Sequence, residues 1–403
     1  MRETLRHRGF AHLFGSSLVT QIGTKIHRIA LLVLVYSLTK EAMWVSLVVA
    51  TQLVAMVGIG PVLSAWADTQ ERRRLLVVTE FLRAPLVILI PVVGGISLAG
   101  LLALVLATEI LRSLHDPVAN AVVPDLVPED RVDAANALMY FTQSFAEIVF
   151  VGLAGVLVAV VGPKPAFWVD AFTYLVSGLI LLGLPSLQPG ETTGDTYLFR
   201  IREGMDHIVR HTVVRRTVLT LFMAAMFGSV EGVLGVVLAV AVLHVGSAGF
   251  GLMEAVMALG SVIGIVLVPR LTTRIPRERL FVFSLLAFGL FEASVGAFPN
   301  FTWVLIAFMI SGALNMGFII PVRSILQLNT PPEMRTRTFA AFGAATNGAV
   351  LIGTFVAGAL EKPLGSPLVF LLAGLGVTAM TLTVLLRGGI PSSTSNPTPS
   401  SSA

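Results

Sequence analysis

The sequence predicts an all-α membrane protein in which twelve transmembrane helices form two six-helix bundles. Hydrophobic residues make up 55% of the 403 residues, charged residues make up 12%, and the mean hydropathy is +0.87. A water-soluble globule of this length does not hide so much apolar surface. A membrane-spanning helix needs about 20 apolar residues. Segments of this kind lie at residues 10–37, 42–67, 73–95, 98–122, 131–161, 164–184, 214–243, 247–270, 279–298, 301–327, 336–360 and 365–386.

Basic residues alternate between the gaps that separate these segments. Of the 27 Lys and Arg residues, 19 lie at the termini or in every second gap, whereas the alternate gaps hold only three. Because basic loops remain cytoplasmic, we expect a multi-pass protein of the inner (plasma) membrane with both termini in the cytoplasm. Topology and contacts with anionic membrane lipid account for the positive charge, so nucleic acid is not an expected partner.

The segments fall into two groups of six. We expect the following domains: an N-terminal bundle at 1–184, a cytoplasmic linker at 185–213, a C-terminal bundle at 214–386 and a disordered cytoplasmic tail at 387–403. The linker contains a predicted amphipathic helix from about Tyr197 to His211, which we place on the cytoplasmic membrane surface. The tail is rich in Ser and Pro, a composition typical of disordered segments.

The two halves repeat at an offset of 204 residues. PVANAVVPDLVPEDR begins at Pro117 and PVRSILQLNTPPEMR begins at Pro321, with matching prolines, acidic residues and terminal arginines. Parallel repeats of this kind are typical of transporters, in which the substrate site lies between the repeats near the middle of the membrane.

The loop after the second segment carries Asp68, Arg72 and Arg73, which match the motif of the major facilitator superfamily at that loop. The sequence resembles this superfamily over its whole length. The stretches at 117–138 and 167–171 also resemble the branch that contains macrolide-efflux and enterobactin-exporter proteins. The resemblance implies the major facilitator fold and export of a small, partly apolar molecule. It also implies that Asp68, Arg72 and Arg73 belong to a cytoplasmic gate, and that Arg112 works with this loop.

Charged side chains inside the segments are candidates for function because a charge in the middle of a bilayer costs several kcal/mol. Gln21, Lys25 and Arg28 share one helical face, which indicates either a cationic wall of the central cavity or ion pairs with neighbouring helices. Glu147 and Glu231 are the candidate partners. Either carboxylate is a candidate for proton coupling, with ion pairing or contact with cargo as the alternative.

A second set of charges lies toward the cytoplasmic half of the segments. Glu109, Arg112 and Asp116 share one face of a helix, and Glu80 and Arg83 are spaced by three residues. We expect these five residues to form a charge network that holds the inner gate, with direct contact with cargo as the alternative.

Other polar residues have two interpretations each. Asp170, Glu254 and Glu292 lie in the outer thirds of their segments, where they either attract cargo or are solvated at a wide mouth. Asn315 and Asn347 either contact cargo or form hydrogen bonds between helices.

The sequence contains neither a phosphate-binding GxxxxGK loop nor a metal-binding spacing of its seven His residues, so we expect neither an enzyme nor a cofactor. The predicted function is secondary active transport: proton-coupled export, by alternating access, of small amphipathic molecules such as drugs, macrolides or siderophores. We expect a monomer whose partners are a small-molecule substrate, protons and membrane lipid. The alternatives are an uncoupled or importing solute carrier, and a lipid-moving or non-transporting receptor on the same scaffold.

Overall fold

A computed structural model describes residues 4–67, 69–188 and 197–390. In these residues the regular structure is helical. The α-helices are α1 (Arg8–Thr39), α2 (Ala42–Val54), α3 (Gly60–Ala67), α4 (Arg72–Gly94), α5 (Leu98–Ala121), α6 (Val123–Leu126), α7 (Val132–Val161), α8 (Pro163–Leu181), α9 (Tyr197–Arg210), α10 (Thr212–Gly228), α11 (Val230–Val237), α12 (Gly246–Leu271), α13 (Arg277–Ala297), α14 (Phe301–Leu328), α15 (Arg335–Leu364) and α16 (Ser366–Leu386). The predicted gate residue Asp68 and the tail beyond Ile390 lie outside the described residues.

Ten helical spans among the described residues are long and apolar enough to cross a membrane. They are Arg8–Thr39, Ala42–Ile59, Arg72–Gly94, Leu98–Ala121, Thr212–Val242, Gly246–Leu271, Arg277–Ala297, Phe301–Leu328, Pro332–Leu364 and Ser366–Leu386. The helices α7 and α8, at the predicted fifth and sixth segments, are not among these ten. Helix α7 includes an apolar stretch at Val149–Val161.

The chain divides into two compact units. Unit 1 comprises Met1–Gly194 and Val233–Ala255, and unit 2 comprises Asp195–Gly232 and Val256–Ala403. Unit 1 therefore combines α1–α8 with a short piece from later in the sequence, which includes the first part of α12. The core of unit 1 includes Phe10, Leu13, Leu76, Val122 and Leu181. The core of unit 2 includes Val214, Phe281, Leu285, Val322 and Leu326.

The local structure repeats in the two halves of the sequence. A 3₁₀ turn precedes α7 at Glu129–Arg131, and another precedes α15 at Pro332–Met334. The turns after α7 and α15 each contain a glycine with positive φ, 82° at Gly162 and 78° at Gly365. Residues that carry a side chain rarely adopt this backbone conformation, so glycine allows the tight turn from each helix into the next one.

Two of the spans contain a π-helical turn. The turn at Ala55–Ile59 separates α2 from α3, and the turn at Leu238–Val242 follows α11. A π turn inserts one residue into the helical register and rotates the side chains that follow it. The predicted segments 42–67 and 214–243 are therefore each built from more than one helical piece.

Small residues let the helices of unit 2 approach closely. A Cβ atom on Gly260 would collide with the carbonyl oxygen of Met309, and one on Gly312 would collide with that of Met257. The hydrophobic effect does not drive helices together in lipid. Close packing of the two backbones supplies van der Waals attraction in its place.

The helix α9 forms at the position of the predicted amphipathic helix. Its apolar face packs against α15 within unit 2: Ile208 is buried, and a Cβ atom on Gly204 would collide with the backbone of Arg337. Glu203 also forms an ion pair with Arg337. The apolar face that predicted a location on the membrane surface is therefore used, at these positions, for packing within the protein.

Candidate functional site

The predicted cationic face of α1 is partly exposed. Gln21, Lys25 and Arg28 are each half-buried. The Nη2 atom of Arg28 donates a hydrogen bond of 2.6 Å to Oε2 of Glu254 in α12. The sequence suggested Glu147 and Glu231 as partners of the α1 cations. The structure adds Glu254 as a partner of Arg28, because the start of α12 belongs to unit 1.

The start of α12 also packs closely against α7. A Cβ atom on Gly155 would lie 2.5 Å from the Cα atom of Gly251, so the two backbones touch at this point. Any larger residue at either position would separate the two helices. The Arg28–Glu254 pair and this glycine contact together hold the start of α12 in unit 1.

A set of polar side chains lies inside unit 1. Glu80 in α4 is fully buried, and its Oε1 atom accepts a hydrogen bond of 3.1 Å from Thr20 in α1. The same oxygen lies 3.4 Å from Nε2 of His115 in α5 and 3.9 Å from Nη1 of Arg83. Arg83 is 2% exposed, donates a hydrogen bond of 2.6 Å to the hydroxyl of Tyr174 in α8, and lies over its ring.

One turn before Tyr174 on α8, Asp170 is fully buried. Its Oδ2 atom lies 2.9 Å from Nδ1 of His27 in α1. The His27 ring packs edge-on against Phe167. A Cβ atom on Gly23 would collide with the side chains of Asp170 and Thr173 in α8. Glycine at this position therefore allows α1 to pack closely against α8. We call Thr20, His27, Glu80, Arg83, His115, Asp170 and Tyr174 the interior cluster.

The interior cluster contains more acid than fixed positive charge. With Glu80 and Asp170 ionised and Arg83 cationic, its net charge is −1 before either histidine is counted. An unbalanced charge away from water costs several kcal/mol. One proton, on a histidine or on a carboxylate, makes the cluster neutral. The remaining charged residues of α1 and α5 that face this region, Lys25, Arg28, Glu109, Arg112 and Asp116, are all at least partly exposed.

The buried acids differ from the expectation for the outer thirds of the segments. Asp170, Glu254 and Glu292 are 0%, 7% and 4% exposed, so none of the three is solvated at a wide mouth. Packing explains the difference, because α1 covers both Asp170 and Glu254 within unit 1. In unit 2, Glu292 is within electrostatic range of Glu231, which is also buried.

The other cargo candidates lie on separate helices. Asn315 in α14 and Asn347 in α15 are each half-buried. Glu147 lies on α7, but its side chain is outside the described residues. The structure thus brings Arg28 of this set into contact with Glu254.

The predicted gate loop is organised by an acid that the sequence analysis did not select. The carboxylate of Glu71 caps α4 by accepting hydrogen bonds from the backbone of Arg73 and Arg74, and it accepts a third, 2.9 Å, from the backbone of Leu187. Arg73 donates to the carbonyl of Leu182 over 2.6 Å. These contacts join the start of α4 to the end of α8.

Arg72 forms an ion pair of 2.7 Å with Asp125, which is about half exposed. The predicted triad on α5 is also in contact: Arg112 lies 3.5 Å from Glu109 and 3.2 Å from Asp116. Glu109 in turn accepts a hydrogen bond from Gln52 in α2. Glu80 and Arg83 make their close contacts in the interior cluster, and Arg83 also lies within electrostatic range of Arg112 and Asp116.

Sequence reasoning missed His27, His115 and Tyr174 as partners of the charged residues. One signal was present: Asp170 and Tyr174 are four residues apart and therefore share a face of α8. No group of three or more His, Asp or Glu residues in the described parts of the chain is placed to hold a metal ion.

Long apolar helices with ionisable groups held between them are typical of membrane transport proteins. The chain belongs to a family of major facilitator transporters whose model, described as "Transmembrane secretion effector", matches residues 3–402. It is thus a multi-pass membrane transporter that acts on small molecules, and not an enzyme. The resemblance to the major facilitator superfamily is confirmed.

Several curated proteins are similar along most of their length. The chain is 25% identical to the MFS-type transporter YfiS of Bacillus subtilis. The alignment covers 91% of this chain and 90% of YfiS. It is 22% identical to the staphyloferrin A transporter of Staphylococcus aureus, over 92% and 94% of the two chains. It is 24% identical to the multidrug efflux pump Tap of Mycolicibacterium fortuitum, over 83% and 85%.

A crystal structure of the nucleoside transporter NupG has the same fold. The TM-score is 0.79 at 11% identity, and the match covers 94% of this chain and 98% of NupG. At this identity the likeness concerns the fold alone.

Proposed function

We propose that this protein is a proton-coupled exporter of small amphipathic molecules such as drugs, macrolides or siderophores. The family description and the similarity to Tap support export, and the similarity to the staphyloferrin A transporter supports siderophores as a class of cargo. The proposal includes twelve spans in two six-helix bundles, a monomer in the inner (plasma) membrane, and both termini in the cytoplasm.

The proposal of proton coupling rests on the interior cluster. Buried carboxylates and histidines in membrane proteins are typical of proton relays. Glu80 and Asp170 need one added proton to balance Arg83, and His27 and His115 lie 2.9 Å and 3.4 Å from these carboxylates. Binding and release of that proton would change the charge inside unit 1 by one unit during each transport cycle.

The cargo site is proposed at the face of α1 that carries Gln21, Lys25 and Arg28, with Asn315 and Asn347 as polar contacts from the second half of the sequence. Their partial exposure suits residues that meet a ligand. Glu147 and Glu231 remain candidates for proton coupling, with ion pairing or contact with cargo as the alternative.

Alternating access requires contacts that form in one state and break in another. We assign the Arg28–Glu254 pair to the outer gate. We assign the loop with Asp68, Arg72 and Arg73, together with the triad Glu109, Arg112 and Asp116, to the inner gate. Charged contacts suit a gate because water can hydrogen-bond to the charged groups when the contact opens. Apolar side chains cannot form such hydrogen bonds with water.

Transport in proteoliposomes tests the proposal. Protein reconstituted with a pH gradient should drive a fluorescent cationic dye, such as ethidium, toward the acidic side, and a protonophore should abolish this accumulation. The variant with His27→Gln and Asp170→Asn should lose gradient-driven accumulation by at least about tenfold, while exchange of labelled for unlabelled dye without a gradient continues. An uncoupled carrier would exchange dye and ignore the gradient in every variant. Movement of fluorescent phospholipid in place of dye would favour the lipid-moving alternative.

A further inference from the structure

A groove between α10 and α16 in unit 2 combines an apolar wall with two cations. Its volume is about 290 Å³. Leu219 and Met223 line it from α10, and Met380 and Val384 line it from α16. Arg216 and Arg387 stand at one end of the groove.

The two helices present matching faces to the groove. Arg216 lies near the start of α10, seven residues before Met223. Arg387 directly follows α16, seven residues after Met380, so the two chain segments run in opposite directions along the groove. Seven residues of helix span about 10.5 Å. The groove therefore runs from its cationic end through most of one membrane leaflet, whose hydrocarbon part is about 15 Å thick.

The cations at the end of the groove are available for a ligand. Arg216 donates a hydrogen bond of 3.3 Å to the carbonyl of Gly389, which holds the two helix ends together but neutralises no charge. Among residues 4–67, 69–188 and 197–390, no carboxylate forms an ion pair with Arg216 or Arg387, and both side chains are exposed. The hydroxyl of Thr220 donates to the carbonyl of Arg216 and does not compete for a ligand.

We propose that this groove binds an anionic phospholipid, with its phosphodiester between Arg216 and Arg387 and one acyl chain along Leu219, Met223, Met380 and Val384. Basic pockets between transmembrane helices bind anionic headgroups, and guanidinium groups bind phosphate oxygens in pairs. A free phosphate would leave the apolar wall unused, and a zwitterionic lipid would bring its own cation toward two arginines. The proposal does not depend on the cargo or on proton coupling.

Native mass spectrometry of the purified full-length protein tests this site. Phosphatidylglycerol and phosphatidylcholine with identical acyl chains are added in equal amounts, and glycerol phosphate serves as the probe for the headgroup alone. Wild type should retain phosphatidylglycerol in preference to phosphatidylcholine, and should retain no glycerol phosphate at the same concentration. Arg216→Gln with Arg387→Gln should reduce the preference about 25-fold, because each arginine near a membrane surface contributes about fivefold.

Two further variants make the result specific. Arg270→Gln with Arg274→Gln removes two exposed arginines that lie after α12 or at its end and should change the preference less than about twofold. Leu219→Trp fills the groove, keeps both cations and should reduce retention of phosphatidylglycerol at least about fivefold. Equal losses in the two double variants would overturn the site. Binding of glycerol phosphate that is equally strong in wild type and Leu219→Trp would show an anion site without lipid specificity. That result would also contradict the proposal.

Discussion

Arg28 and Glu254 form a hydrogen-bonded ion pair of 2.6 Å across 226 positions of the sequence. Glu254 is 7% exposed, whereas the side chain of Arg28 is 41% exposed. The pair therefore has one buried and one accessible member. This arrangement holds the start of α12 against α1 and leaves the Arg28 side chain accessible to water.

Removal of one partner of this pair should destabilise the protein. Loss of Arg28 leaves a buried carboxylate without its cation, a change that costs about 3–5 kcal/mol for fully buried pairs and about 1–3 kcal/mol here, because Arg28 is partly exposed. Thermal unfolding in detergent should show a lower Tm for Arg28→Gln and for Glu254→Gln. The double variant should be less destabilised than the two single changes added together. Strict additivity would show that the two side chains do not interact in solution.

The glycine contact between α7 and α12 makes a separate prediction. Gly251→Ala places a Cβ atom 2.5 Å from the Cα atom of Gly155, so the helices must separate and Tm should fall. Gly348→Ala in α15 is the matched control, since a Cβ atom there meets nothing within 4 Å. Because alanine favours a helix over glycine by about 1 kcal/mol, this control should leave Tm unchanged or raise it. A Tm for Gly251→Ala equal to that of the control would refute the close contact.

The capping role of Glu71 predicts a difference between two neighbouring acids. Glu71→Ala removes three hydrogen bonds to backbone amides and should cost about 1–2 kcal/mol in unfolding free energy. Asp125→Ala removes only the exposed partner of Arg72 and should cost less than about 1 kcal/mol. Denaturant unfolding of both variants in the same detergent gives the comparison. The reverse order of the two costs would contradict the assignment of Glu71 as the cap of α4.

His211 gives a pH dependence outside the spans. Burial, and secondarily the charge of the neighbouring His207, lowers the pKa of His211 below its ordinary value of about 6.5. A lowered pKa in the folded state means that the unfolded chain binds more protons. The stability from this group is therefore present above pH 6.5 and is lost as the pH falls below that value through the lower pKa of the folded state. The same ring accepts a hydrogen bond from the backbone of Val214, which requires an unprotonated nitrogen.

Substitution of His211 by Asn keeps a capping acceptor and removes the titration. The decrease in Tm between pH 7.5 and pH 5.5 should be smaller in His211→Asn than in wild type. His12→Asn is the control, because it removes a histidine from the other unit. An identical pH dependence in wild type and His211→Asn would contradict the lowered pKa.

Much of the fold was predictable because hydropathy and charge report directly on membrane insertion. The predicted segment 73–95 corresponds to Arg72–Gly94, and 301–327 corresponds to Phe301–Leu328. The π turn at Ala55–Ile59 was not predictable, since a change in hydrogen-bond register leaves the apolar pattern of a fully apolar helix unaltered. The assignment of the start of α12 to unit 1 also depends on tertiary contacts that no local pattern contains.

The candidate site was predictable only in part. Spacing along one helix correctly brought Arg112 together with Glu109 and Asp116, because neighbours on one helix are fixed by its geometry. Partners on different helices depend on how the helices rotate and pack, and the sequence did not indicate that Glu80 meets His115 or that Asp170 meets His27. The assignments of cargo and gate residues remain predictions.

The most direct test of proton coupling by the interior cluster is a count of protons moved with cargo. Proteoliposomes with a trapped pH indicator, and with the membrane potential clamped at zero, receive ethidium on one side only. Wild type should move protons against the dye flux, so the lumen should change pH as dye crosses. Glu80→Gln and Asp170→Asn should carry dye with little or no proton movement, whereas Asp206→Asn, which changes an exposed acid of α9, should behave as wild type. Proton movement in Glu80→Gln and Asp170→Asn equal to that of wild type would contradict the account.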